Sequence, residues 1–161
     1  MTTVAKTATL AAKSLLKEAT KRWPKRAKAS DGLLPSAAHL AASPNSDHNT
    51  GHAVDLTHDP KSGVDCHELF QKFKEDKRVA YLIFDSKIWS RARASEGDRR
   101  YTGSNPHSKH LHVSIDPKHD KDTSTWFPWL NKKVFSSPDA VIANLKSKNP
   151  QKSEVPSPKE D

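Results

Sequence analysis

A single cysteine, Cys66, stands among the 161 residues. No intramolecular disulfide can form and no thiolate zinc cluster can be assembled, so any metal site must use histidine, aspartate or glutamate. Cys66 falls within a helical pattern and reads as a small, semi-buried hydrophobe, not as a nucleophile. Long apolar runs are also missing. No stretch approaches the roughly 18 apolar residues of a membrane span, and Lys6 and Lys13 interrupt the N-terminal segment before a signal-peptide core can form. The expectation is synthesis in the cytoplasm without a signal peptide. Apolar residues reach only 34% against 29% charged, enough for one modest core, and there is no internal repeat.

Negative charge is in short supply. With 27 Lys and Arg against 19 Asp and Glu, the formal net charge is +8. A positive field concentrates polyanions, so a nucleic acid, an anionic membrane surface or an anionic cell wall would each suit, and charge alone does not choose among them.

The pattern along the chain predicts α+β architecture. Leu15, Leu16, Ala19 and Trp23 recur at three- and four-residue steps within Leu10 to Trp23, an amphipathic helix that Pro24 ends. Ser30-Asp31-Gly32 reads as a turn, and SAAHLAA after Pro35 as a short helix whose His39 is more readily structural than functional. His52 to Thr57 has strand alternation, with Ala53 and Asp55 on one face and Val54 and Leu56 on the other. Asp65 to Arg78 is expected to be a helix with Leu69, Phe70 and Phe73 on one side, and Val79 to Phe84 a strand. A hairpin or long loop is expected over Asp85 to Pro106, followed by a strand from Leu111 to Ile115. Trp126, Phe127, Trp129 and Leu130 are expected to cap the core and Pro138 to Leu145 to form a last helix. Residues 1–145 would form one domain, and 146–161, rich in Lys, Ser, Pro and Glu, a disordered polar tail.

Nine histidines are many for this length, and three fall in NPHSKHLHVSI at positions 107, 110 and 112. Strand alternation puts His110 and His112 on the face opposite Leu111, Val113 and Ile115. One of the pair can bind a metal while the other exchanges a proton with activated water. His48 in a loop, followed seven residues later by Asp55 on a strand, adds a nitrogen and an oxygen. Two nitrogens and one oxygen leave a fourth tetrahedral position open, as in catalytic zinc sites. Taken singly each histidine is readily a hydrogen-bonded surface group; the set is not.

Ser46-x-His48-x-x-Gly51-x-Ala53-x-Asp55 followed by His110-x-His112 resembles the zinc peptidases that include D-Ala-D-Ala carboxypeptidases and L-alanyl-D-glutamate endopeptidases, whose fold is shared with the hedgehog signalling domain. The stretches W-x-x-R…SDG…SDHN…DLTHDP and YTGSNPHSKHLHVS are similar to those of peptidase modules in actinobacterial phage endolysins. The resemblance spans about residues 15 to 116. It implies a central antiparallel sheet flanked by helices, Zn2+ held by His48, Asp55 and His112, and His110 as general base. Many members place an acidic base three positions before the last ligand; here Lys109 occupies that position, which indicates the His-x-His subtype. His107 would assist by hydrogen bonding behind the ligands.

Around this set, Gly51 is expected to permit an unusual backbone conformation and Ala53 to leave room beside the metal. Ser46 either hydrogen-bonds within the site or caps a turn. His52 and His58 read as solvated or supporting. Tyr101 and Arg100, with Arg93 and Arg99, are candidates for binding a stem-peptide carboxylate, against the alternative of a solvated basic loop. The expected partners are the peptidoglycan peptide and the anionic wall, reached after release from the cell that makes the protein, with no nucleic acid, no membrane span and a monomeric state. Two other readings compete: a basic metal-dependent nuclease and a non-catalytic zinc-containing wall-binding module.

Overall fold

A computed structural model describes Ala5 and residues 7–131. The expected last helix and the 146–161 tail lie outside the described residues. The chain divides into two compact units, Met1–Trp126 and Phe127–Asp161. The described part of the second is Phe127 followed by a short helix, α4 (Pro128–Asn131), and the Phe127 and Trp129 rings meet edge to face.

The first unit is α+β. Its helices are α1 (Leu10–Arg22), α2 (Ala37–Ala42) and α3 (Cys66–Phe73), and its strands are β1 (Ala53–Thr57), β2 (Val79–Phe84), β3 (Lys87–Ser90), β4 (Arg99–Arg100) and β5 (His110–Ile115). The strands form one sheet in the order β1-β5-β2-β3-β4, with every neighbouring pair antiparallel.

Thr9 starts α1 by accepting a hydrogen bond from the Ala12 amide, and Ala11, Ala12, Leu15 and Ala19 bury its inner face. Asp65 caps α3 by accepting from the His67 amide. The helix stops at Phe73, short of the expected Arg78, because the next side chains have other partners. Arg91 donates to the carbonyls of Lys74, Asp76 and Val79. Arg78 is buried against the Trp126 ring and donates to the carbonyls of Asp122, Ser124 and Thr125 while pairing with Asp76. An arginine that donates to five oxygens inside the unit cannot also be the exposed end of a helix.

Asp85 and Ser86, both with positive φ (50° and 63°), make the two-residue turn joining β2 to β3. Positive φ at both central residues is the backbone twist that tight hairpins prefer. The Asp85 and Ser86 amides donate to the carbonyls of His107 and Pro106, so the hairpin tip anchors the loop leading into β5. Cys66 is fully buried, and burial pushes its thiol pKa up to about 12.

Candidate metal centre

The register between β1 and β5 sets Asp55 opposite His112 and Thr57 opposite His110. Antiparallel partners project to the same face, so the carboxylate and both imidazoles share one side of the sheet while Val54, Leu56, Leu111 and Val113 bury the other. His48 comes from a 3-10 turn, Asp47–Thr50, capped by the Ser46 hydroxyl, which accepts from the His48 amide. Gly51 ends that turn at φ +79°, and its amide donates to the His48 carbonyl. A Cβ there would lie 2.9 Å from the Thr7 carbonyl oxygen, so both conformation and space require glycine.

His48, Asp55 and His112 each offer a ligand atom, all within 4.8 Å of one another. Asp55 Oδ1 lies 3.2 Å from His48 Nε2 and 3.3 Å from His112 Nδ1, and Asp55 Oδ2 lies 3.6 Å from His110 Nε2. His48 Nδ1 donates to the Leu33 carbonyl at 2.8 Å, which leaves Nε2 as the atom aimed at the centre. His112 Nε2 lies 2.7 Å from the Ser114 hydroxyl, while its Nδ1 is buried without a hydrogen-bond partner among the described residues. At 3.3 Å from Asp55, Nδ1 is near the carboxylate but not aligned with it as a donor. A buried imidazole nitrogen left without a hydrogen bond beside a carboxylate oxygen is a pair of atoms that a shared cation would satisfy. The group could hold a metal ion.

The electrostatics agree. Burial opposes the charge on Asp55, but His112 and His48 outweigh it and keep the carboxyl well below its usual range. Burial likewise opposes a charged His48, yet the Asp55 carboxylate and the Leu33 carbonyl raise its pKa above the ordinary value. His110 moves the other way: burial lowers its pKa, and repulsion from His112 and His48 adds to this against the pull of Asp55. His110 is therefore held toward its uncharged form.

His107 stands beside this group with φ +54°, its ring centroid 5.0 Å from His110 and 5.5 Å from His112. Its Nδ1 donates to the Asn105 carbonyl, so it packs against the ligands without bonding to them. Burial, with His112 and His110 nearby, lowers its pKa to about 4. Tyr101 meets His107 edge to face at 5.6 Å, which brings it to the margin of the site. Arg100 is different: it is exposed on β4, opposite Lys87, at the sheet edge farthest from β1. Arg93 pairs with Glu96 in the solvent, and Arg99 reaches Ser90. Ser46 caps the turn by accepting from the His48 amide, and its hydroxyl lies 3.2 Å from His39 Nε2. His52 pairs with Asp120 and His58 accepts from the Cys66 amide, away from the cluster.

Four contributors were not legible as such. His39 packs edge to face on His48 at 5.5 Å. Tyr81 stacks on His112 at 5.4 Å. Gly32 exchanges two backbone hydrogen bonds with Asp55, and a Cβ on Gly32 would stand 3.2 Å from Asp55 Oδ2. Buried Arg26 grips Asp31 through two hydrogen bonds of 3.0 and 2.7 Å and so fixes the turn that carries Gly32 and Leu33. The W-x-x-R and SDG stretches were the available signal for this last pair, although neither names its partner.

Residues 5–112 match the family model described as VldE, C-terminal domain. The chain belongs to that family. The matched stretch contains His48, Asp55, His110 and His112, so the whole cluster lies within it. No curated protein and no solved structure matches the chain. Family membership by itself assigns no reaction, and the chemistry has to be argued from the site.

Proposed function

We propose that this chain is a zinc metallopeptidase that hydrolyses an amide bond in the peptide stem or cross-link of bacterial peptidoglycan. The observation that carries the reading is the convergence of His48 Nε2, Asp55 Oδ1 and His112 Nδ1, with the nitrogen of a third, non-ligand histidine, His110, 3.6 Å from the outer oxygen of Asp55. Two nitrogens and one carboxylate oxygen form a three-ligand set of the kind found in hydrolytic zinc sites. Zinc bound there would supply Lewis-acid polarisation of the scissile carbonyl and would acidify water.

The chain's own residues supply the rest. His110, kept neutral by burial, takes the proton of the attacking water at Nε2 and returns it to the leaving amine. Asp55 Oδ2 faces that nitrogen and stabilises the imidazolium between the two transfers. His107 and Tyr101 wall the approach and restrict bulk water. The choice of peptidoglycan rests on the resemblance of the two histidine motifs to wall peptidases and on the net charge of +8, which suits an anionic wall. Action on the wall after release from the producing cell belongs to the same reading.

The test is release of new amino groups from purified cell walls by the zinc-loaded chain, with muropeptide mass spectrometry to locate the cut bond. The expected result is amine release that His110→Ala abolishes while zinc content stays stoichiometric. Stoichiometric zinc without amine from walls of different peptide chemistry would favour a binding module. The same positive charge also suits nucleic acid, so magnesium-dependent cutting of plasmid DNA that His110→Ala abolishes would overturn the peptidase.

A further inference from the structure

Two of the three metal-ligand candidates begin a row of side chains that crosses the whole sheet. Asp55 pairs with His112, His112 with Ile83, Ile83 with Ile88, and Ile88 with Arg99. Directly paired residues of antiparallel strands project to the same face, so Arg99 on β4 stands on the face of the metal centre. Its neighbour Arg100 belongs to the other face with Lys87, whose ammonium lies 5.3 Å from the Phe70 ring of α3. The two faces are covered differently. Leu82, Phe84 and Trp89, on the α3 side, are buried. On the metal side Tyr81, Ile88, Ser90 and Arg99 are only half-buried, which leaves an open strip of sheet leading from the ligands to β4.

Arg99 ends that strip as a cation without a counter-ion among the described residues. Its Nη2 donates to Ser90 Oγ at 3.3 Å, and its Nε is buried with no hydrogen-bond partner among those residues. The acids next to it in the sequence are engaged elsewhere: Glu96 pairs with Arg93 at 2.6 Å and Asp98 with Lys74 at 2.5 Å. A guanidinium has five N–H donors in a planar fork that matches a carboxylate, so most of its capacity is unused here. Strands lie about 4.8 Å apart, and the three steps from β5 to β4 put the Arg99 backbone about 14 Å from that of His112. An extended peptide rising about 3.3 Å per residue covers this span in about four residues.

We propose that Arg99 is a specificity-determining residue, which binds a carboxylate of an acidic peptide lying across β2 and β3, about three to four residues from the bond held at the metal centre. Charge complementarity selects this occupant, because the strip is apolar at Ile83 and Ile88 and carries its cation at the far end. The anionic subsite does not itself depend on zinc; its part in hydrolysis rests on the zinc-peptidase reading above.

Calorimetric titration of the full-length, zinc-loaded chain carrying His110→Ala, which binds the probe without cutting it, tests this. The probes are a synthetic wall-stem pentapeptide with its carboxylates free and the same peptide with its carboxylates amidated. With Arg99 in place the free form is expected to bind about 10-fold or more tightly than the amidated form, as charge-assisted hydrogen bonds require. Arg99→Met, which keeps the aliphatic stem, should erase that preference and leave zinc content unchanged. Arg99→Lys should recover only part of it, because an ammonium lacks the planar fork. Equal affinity for the two peptides in the chain with Arg99, no binding of either, or a preference that survives Arg99→Met would overturn the proposal. If the chain with His110 intact releases no amine from cell walls while the Arg99-dependent preference is present, the peptidase reading fails and the anionic subsite stands.

Discussion

Replacing Asp31 by alanine tests how the site is held. Arg26, whose side chain is 1% exposed, donates to both Asp31 oxygens and to Thr20 Oγ1 and the Ala27 carbonyl. Asp31 Oδ1 also accepts from the Thr57 amide at 3.0 Å and the Thr57 hydroxyl at 2.7 Å. Asp31→Ala therefore leaves a buried guanidinium without its counter-ion and a strand amide without its acceptor. Breaking a buried pair from one side typically costs about 3–5 kcal/mol, a large share of the roughly 5–15 kcal/mol that holds a domain together. Removing both charges is milder, so Arg26→Met with Asp31→Ala should recover part of the loss. Because Gly32 bonds the Asp55 backbone and the Leu33 carbonyl holds His48 Nδ1, the single variant should also bind zinc more weakly, by about 10-fold or more. Urea denaturation of the metal-free variants and zinc competition titrations give both numbers. A loss within the roughly 0.5 kcal/mol of an ordinary surface substitution, with unchanged zinc affinity, would refute the argument that this ion pair anchors the site.

Three further outcomes are expected. Gly51→Ala forces a side chain into φ +79° and against the Thr7 carbonyl, so it should cost more than about 1 kcal/mol of stability, read as a drop in the thermal midpoint, with zinc affinity falling as the His48 turn shifts. Zinc must displace a proton from His48, whose pKa is raised above 6.5 by Asp55 and Leu33 against the effect of burial. Binding should therefore weaken as pH falls through that raised value, and calorimetry in buffers of different ionisation enthalpy should register the released proton. In the metal-free protein the sign reverses: the contribution of His48 to stability is full below 6.5 and is lost as pH rises through the raised value. Cys66, buried and shifted up to about 12, should stay unmodified by a thiol reagent at pH 9.0 in the folded protein and react once urea unfolds it; modification of the folded protein at the unfolded rate would contradict its burial.

Local pattern was enough for the elements that carry the cluster. Alternation in His52 to Thr57 and Leu111 to Ile115 fixes which faces Asp55, His110 and His112 occupy, because strand side chains alternate whatever the rest of the chain does. The carboxylate of Asp65 and the position of Pro24 mark helix ends by chemistry that acts within a single turn of backbone. Only the tertiary structure decided what those faces meet. Register pairs Asp55 with His112 and Tyr81 with Ser114 across strands more than 30 residues apart in sequence, and no short-range periodicity encodes a register. Arg78 illustrates the reverse failure: a basic residue reads as a helix end on the surface, whereas Trp126 and the carbonyls of Asp122, Ser124 and Thr125 draw it inside. Arg100 lies near His110 in the sequence but on the opposite sheet edge from β1, because a hairpin and a loop separate their strands. The sequence by itself picked out His48, Asp55, His110 and His112 as the candidate set; the folded chain decided which nitrogen of His48 and His112 faces Asp55, since only packing against Leu33 and Ser114 selects it.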